Sequence, residues 1–552
     1  MDHVNELDSL TFSAMLRQGT VALGKEKEVI NDLNVFPVPD GDTGDNMYMT
    51  LKAGCAALEG NLGTLSEIAA TASSGMLLGA RGNSGVILSR IFAGLAKGLK
   101  GMVVADTKTF DRAMHSAVDE AYKAIPVPVE GTIITVLREG VERSDSSGDL
   151  VGYFDSLAQA MKVSLDRTPE LLPVLKNAGV VDSGGAGLLC VAEGMGAALK
   201  GNITEEELVP APSAPQVDLD KFDENSKLEY GYCTEFLLRL MRAKVDPDTF
   251  NEQVIIDYLN QVGESVVAFR DGTMMKVHVH TFTPGVILNE MQKYGEFLTI
   301  KIENMALQHN EQKAESGKLK AVTPSFSTFK SPLQKYGVVT VASGQGLIEA
   351  FQEIGADEVI VGGQTMNPST QDFVEAFKRI NAKHILVFPN NKNIRMSAEQ
   401  AAALYDKADI HVMPSNTIGE GYYGIGSVDR SLDSVEEVIE SVNEIMQSVT
   451  TGMVSTAIRD AAGEVSVHTG DYVGYVGKQI LSDSPTRSEA ALELCRKLDA
   501  SSRDVMLVFY GEDVSVSEAE ALTAELQKEY RNLEIILNCG LQPVYDYIFV
   551  LC

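Results

Sequence analysis

Apolar positions over the first 200 residues recur at helical spacing, and the period changes twice further along the chain. Met47, Leu51, Gly54 and Leu58 stand at i, i+4, i+7 and i+11, which predicts one helical stripe turned to a core. Similar Ala/Leu/Met-rich segments broken by glycine-rich turns predict an all-α domain over residues 1–203. The stretch 204–226 is acidic and carries Pro210, Pro212 and Pro215, so it reads as an extended linker. Beyond it, 265–270 and 274–281 flank Asp271-Gly272, a hairpin signal within an α+β middle domain over 227–325. From 336 to 552 an α/β domain is expected. Strands are predicted at 336–342, 358–361, 384–388 and 410–413, with helices starting at Gly346, Gln371 and Ser397. A second lobe follows, with strands near 453–459, 505–510 and 534–537. Such alternation predicts a parallel sheet covered on both faces, its loops gathered along one ligand-binding edge.

The chain has 552 residues, 44% of them hydrophobic, enough to fill the cores of several domains. A formal net charge of -31 argues against nucleic acid as a partner, since a polyanion is repelled over most of the surface. The first eight residues are acidic where a signal peptide needs positive charge, and no apolar run approaches membrane-spanning length. A cytoplasmic location is therefore expected. Six cysteines, at 55, 190, 233, 495, 539 and 552, lack paired short spacings and read as reduced thiols filling cores.

Candidate chemistry concentrates in Asn34-Val35-Phe36-Pro37-Val38-Pro39-Asp40-Gly41-Asp42-Thr43-Gly44-Asp45-Asn46-Met47. Three carboxylates within six residues, just before a helix, suit a magnesium ion whose octahedron is completed by phosphate oxygens. A calcium loop starting at Asp40 fails, because its fifth and twelfth positions hold Gly44 and Leu51. The plainer alternative is a turn in which Asp45 caps the next helix. Two more glycine loops follow: Gly79-Ala80-Arg81-Gly82-Asn83-Ser84-Gly85, and Val181-Asp182-Ser183-Gly184-Gly185-Ala186-Gly187. A glycine-serine loop opening a helix offers backbone N–H groups and the positive dipole end to an anion. No Walker A or Rossmann pattern is present.

These loops, with Gly131-Thr132-Ile133-Ile134-Thr135-Val136, resemble the ATP-binding subunit of dihydroxyacetone kinases and, more closely, the ATP-binding protein of bacterial fatty acid kinases. The resemblance extends over nearly the whole chain. It implies a helical barrel over 1–203 that binds ATP with a pair of Mg2+ ions, Asp40 and Asp42 being metal ligands and Asn34 a further one. It also implies that Thr43, Asn46, Gly82, Asn83, Ser84, Gly85, Thr132 and Asp182 face the nucleotide. Arg81 would stabilise charge on the transferring phosphoryl group, or else be an ordinary surface arginine.

In the middle domain His278 and His280 fall on one face of a strand, and Cys233 could join them from a neighbour. The alternative is a hydrogen-bonded histidine pair beside a buried cysteine. The resemblance favours a structural Zn2+ on these three residues. It also implies a DegV-like fold for 336–552, where Thr365, Ser369 and Thr370 either grip a fatty acid carboxylate or merely cap a helix.

The expected activity is ATP-dependent phosphorylation of a fatty acid carboxylate, presented by a separate DegV-type fatty acid-binding protein, to give an acyl phosphate. Two alternatives stand beside it: a nucleotide-sensing, lipid-binding regulatory scaffold, and a small-molecule kinase of the dihydroxyacetone type. A homodimer is one candidate assembly.

Overall fold

The computed structural model describes residues 4–33, 41–201 (apart from 62 and 126), 232–304 (apart from 243, 247–249, 272 and 282) and 333–552 (apart from 364, 365, 462 and 499). Several strand residues of the middle domain are described by their backbone alone. The described residues group into two compact units, one drawn from Met1–Leu208 with Thr328–Cys552, the other from Val209–Ser327. The expected linker at 204–226 lies outside the described residues.

The N-terminal region is helical: α1 (Ser9–Asn31), α2 (Thr43–Ala57), α3 (Leu65–Gly79), α4 (Gly82–Gly98), α5 (Thr107–Lys123), α6 (Ile133–Arg143), α7 (Leu150–Asp166) and α8 (Ser183–Leu199), with two short helices before α8. Their starts are written in the sequence. Asp8, Asp106 and Asp149 each accept a first-turn amide of α1, α5 and α7, and Thr64 with Glu67 forms a capping box on α3. Each helix packs on the next in chain order, and α8 returns to α1. That last contact is close because both sides are glycine: a Cβ on Gly194 would stand 2.8 Å from the Gly19 Cα. The α2 stripe behaves as the spacing predicts, with Met47, Leu51, Gly54 and Leu58 all buried. On the far side Phe110 and Tyr153 meet edge to face, their ring centroids 5.9 Å apart.

The middle unit holds β1 (Tyr232–Leu240), α9 (Gln253–Val262), β2 (Glu264–Asp271), β3 (Met274–Thr281), α10 (Pro284–Met291) and β4 (Gly295–Asn304). Its sheet is antiparallel, in the order β2-β3-β1-β4. Phe236, Leu238, Met275, Val277 and Val279 form its buried row, against Ile255, Leu259 and Ile287 of the two helices.

The C-terminal region begins with an all-parallel sheet: β5 (Gln334–Ala342), α11 (Gln345–Glu353), β6 (Glu358–Val361), α12 (Thr370–Arg379), β7 (Ala382–Phe388), α13 (Lys392–Leu404) and β8 (Asp409–Val412), in the order β8-β7-β5-β6. After α14 (Ile418–Gly426) and α15 (Val435–Ser448) come β9 (Thr450–Thr456), β10 (Tyr472–Val476), β11 (Gln479–Ser484), α16 (Arg487–Lys497), β12 (Val505–Tyr510), α17 (Val516–Glu529), β13 (Glu534–Cys539) and β14 (Tyr547–Leu551). These strands form a mixed sheet ordered β11-β10-β9-β14-β12-β13. The parallel sheet expected from the strand-helix alternation over 336–413 is the first of these sheets. The β10–β11 hairpin and β14 were not anticipated: β14 is a five-residue run buried at every position, a pattern without period. Helix α13 starts at Lys392, earlier than the expected Ser397, because the Asn391 side chain caps it.

Within the larger unit α12 lies on α3 and α13 on α4. No described helix is long and apolar enough to cross a membrane.

Candidate functional site

Four helices begin at one open pocket of about 310 Å3. Asp42, Thr43 and Asn46 line it from the start of α2, Asn83 and Ser84 from α4, Thr132 and Ile133 from α6, and Asp182, Ser183 and Gly184 from α8. The cap positions of α2, α4 and α6, which are Asp42, Arg81 and Thr132, make no side-chain cap bond. At α2 the Gly44 and Asp45 amides are instead taken by Asn31 Oδ1, at 2.7 and 3.4 Å, and the positive dipole ends at the pocket still favour an anion. The Ser183 hydroxyl donates to Thr43 Oγ1 at 3.2 Å, tying the first loop to the last. The opposite wall is apolar, with Ile87, Ile125, Val127 and Met396. Val127 is 76% exposed.

The lining includes the carboxylates of Asp42 and Asp182 and no lysine or arginine among the described residues. An anion drawn in by the helix ends must therefore bring or find a cation. The donor set fits a hard divalent ion: Asp42 offers carboxylate oxygen, and two buried amide oxygens, Asn83 Oδ1 and Asn367 Oδ1, have no partner among the described residues. Asn34 and Asp40, the other expected metal ligands, lie outside the described residues.

The remaining expected site residues divide. Gly82 has φ +55°, and a Cβ there would stand 2.5 Å from Asn46 Nδ2, so glycine alone lets the buried Asn46 amide reach this turn. Gly85 packs on Thr50 at the back of the loop. Asp182 caps α8, its Oδ2 accepting the Gly185 amide at 2.7 Å, and the residue also lines the pocket. Burial pushes its pKa up to about 6.

Two readings are corrected. Asp45 does not cap α2; it sits in the first turn and is held by Lys27 Nζ at 2.6 Å and Asn31 Nδ2 at 2.7 Å. Arg81 is not among the pocket-lining residues: its guanidinium donates to the Asn367 carbonyl at 2.6 Å. The sequence could not show this, because the acceptor is 286 positions away. Asn393 and Met396 also line the pocket from the C-terminal region, unforeseen in the sequence, and Asn393 accepts from Asn83 Nδ2 at 3.4 Å.

In the middle sheet the register sets Cys233 opposite His280 and Glu235 opposite His278, in the row that alternates with the buried one. The three expected zinc positions thus share one row of adjacent strands. Elsewhere His468, Asp471 and Asp483 bring ligand atoms within 4.8 Å of one another at the surface, and His468 Nδ1 lies 2.7 Å from Asp483 Oδ2. At the strand ends of the C-terminal region, Ser343, Asn390, Asn416 and Gln542 border a second cleft. Thr365 lies outside the described residues, and Ser369 caps α12 in a capping box with Asp372. Cys55, Cys190, Cys495, Cys539 and Cys552 are free thiols, and burial raises the pKa of the Cys190 thiol to about 12.

Comparison with known proteins matches three successive segments of the chain. A DAK2 domain matches residues 37–197, the FakA-like middle domain of fatty acid kinase matches 229–312, and the FakA-like C-terminal domain matches 337–551. Together these define a multidomain chain built on a kinase-type helical domain. Protein YloV of Bacillus subtilis is 37% identical over 99% of both chains, and an uncharacterized protein of Staphylococcus epidermidis is 35% identical over the same share. The chain belongs to the FakA-like family of fatty acid kinase proteins. Among solved structures, the dihydroxyacetone kinase of C. freundii, with AMP-PNP and Mg2+, is a distant likeness at TM-score 0.29 and 15% identity, covering 39% of this chain and 48% of that one.

Proposed function

We propose that the chain transfers the γ-phosphoryl group of ATP to a fatty acid carboxylate, presented by a separate DegV-type fatty acid-binding protein, to give an acyl phosphate and ADP. The observation that carries this reading is the convergence of four helix N-termini, among them the first-turn amides of α4, with Asp42 on a pocket without cationic side chains. A triphosphate meets those amides at one end, and the base lies on Ile87, Ile125 and Val127 at the other. Asp40 and Asp42, with Asn34, would hold two Mg2+ ions, which supply charge neutralisation to the phosphates. The chain-order packing of α1 to α8, closed by α8 on α1, supports the helical-barrel form of this domain.

The acceptor is a carboxylate, already ionised at neutral pH, so its oxygen attacks phosphorus without a general base. The bond to the β–γ bridging oxygen breaks, and ADP leaves with that electron pair. The residues around the pocket then have one task, to position and to neutralise charge, which agrees with the absence of histidine from its described lining. In the middle unit Cys233, His278 and His280 would hold a structural Zn2+.

Measuring ATP consumption with and without a purified, lipid-loaded DegV-type partner tests this. Partner-dependent ADP release, with acyl phosphate trapped by hydroxylamine, is the expected result. Nucleotide binding without partner-dependent turnover would make the chain a sensor and overturn the kinase reading.

A further inference from the structure

The C-terminal region finishes the pocket that the helical region begins. Its 366–370 segment is laid against the turn before α4 by backbone contacts. Arg81 and Ser369 form an antiparallel bridge, the Thr370 amide donates to the Ala80 carbonyl at 3.1 Å, and Arg81 holds the Asn367 carbonyl. Asn367 is thereby fixed, and it is only 2% exposed. Its Nδ2 donates to Asp42 Oδ2, while its Oδ1 has no partner among the described residues. Gly82 leaves the space this needs, since a Cβ there would stand 2.9 Å from Asn367 Nδ2.

At a helix N-cap, an aspartate ordinarily folds back onto the first-turn amides. Asp42 makes no such bond: the Gly44 and Asp45 amides go to Asn31 Oδ1, and Asn367 holds Asp42 Oδ2. A buried amide oxygen left without a partner is costly, and it belongs to the side chain that holds Asp42.

We infer that Asn367 is a positioning residue of the metal–nucleotide site, supplied from the C-terminal region: it keeps the Asp42 carboxylate off its own helix and turned toward a divalent cation. The inference rests on the reading of this pocket as a Mg2+–nucleotide site. Partners that orient a ligating carboxylate commonly change metal affinity by about 10–100-fold.

The test uses the full chain, a fluorescent N-methylanthraniloyl-ADP probe and a Mg2+ titration. In Asn367→Ala the Mg2+ concentration for half-maximal probe binding is expected to rise about tenfold or more, with the melting temperature in EDTA within a few degrees of wild type. Asn367→Asp sets a second carboxylate against Asp42; it is expected to melt below wild type in EDTA and to regain the difference when Mg2+ is added. An unchanged Mg2+ requirement in the alanine variant, or an aspartate variant that Mg2+ does not restore, overturns the positioning role. Wild-type protein that fails to bind the probe at any Mg2+ concentration overturns the nucleotide reading beneath it.

Discussion

Gly82 shows how much of the site hangs on one missing side chain. Its φ of +55° and the two amides crowding its Cβ position leave no room for alanine. Gly82→Ala is expected to cost about 1–2 kcal/mol from the left-handed conformation alone, read by chemical denaturation, and to weaken nucleotide binding as Asn46 and Asn367 are displaced. Asp182 supplies a pH test. Its folded pKa, about 6, is raised above the ordinary 3.8, so the native state holds more protons between those values and stability falls as pH rises through that window. Asp182→Asn keeps an oxygen for the Gly185 amide and removes the charge. The variant should match wild type near pH 4 and exceed it near pH 7 by about 1–2 kcal/mol, a reduced figure because the carboxyl lines an open pocket. A variant less stable than wild type at both pH values would show that the cap, not the buried charge, dominates.

At the scale of elements, local signals were legible and distant ones were not. Asp42, Thr43, Asn83 and Ser84 could be singled out because each lies where a glycine loop becomes a helix, a transition visible within ten residues. The hairpin at Asp271 likewise follows from short-range pattern, its first strand one residue longer at each end than expected, and strands β6 and β12 match residue for residue. The destination of Arg81 and the arrival of Asn367 and Asn393 depend on α12 and α13 docking against α3 and α4, and no spacing in the sequence encodes that. The second sheet was illegible for a different reason. Its last strand, β14, inserts between β9 and β12, so it is buried on both faces and shows no alternation. That sheet contains its own buried ion pair, Arg487 Nε to Asp546 Oδ1 at 2.7 Å, and burial still raises the Asp546 pKa to about 6. Arg487→Met strips the partner from a carboxyl that is 7% exposed. The expected loss is about 3 kcal/mol near pH 8 and less near pH 5, where Asp546 takes up a proton; equal losses at both pH values would contradict it.

At the scale of the molecule, the helical and C-terminal regions are one unit, although the middle domain separates them in sequence. Side-chain bonds cross between them at Asp42, Arg81 and Asn83, and the Gln400 amide reaches the Leu77 carbonyl at 2.6 Å. Calorimetry of the full chain is therefore expected to show these two regions unfolding in a single transition, with the middle domain separate. Three transitions would mean that the cross-region bonds contribute little. The coupling also brings the C-terminal region to the pocket, through Asn393 and Met396.

The central claim is that a carboxylate at the start of α2 serves a cation bound with a nucleotide. Isothermal titration of ADP into the full chain, with Mg2+ and then with EDTA, tests it most directly when wild type is set beside Asp42→Ala. Binding should saturate in wild type with Mg2+, vanish in EDTA, and weaken about 100-fold or more in the variant while its circular dichroism is unchanged. Equal binding by the folded variant, or binding by wild type that ignores Mg2+, would contradict the account.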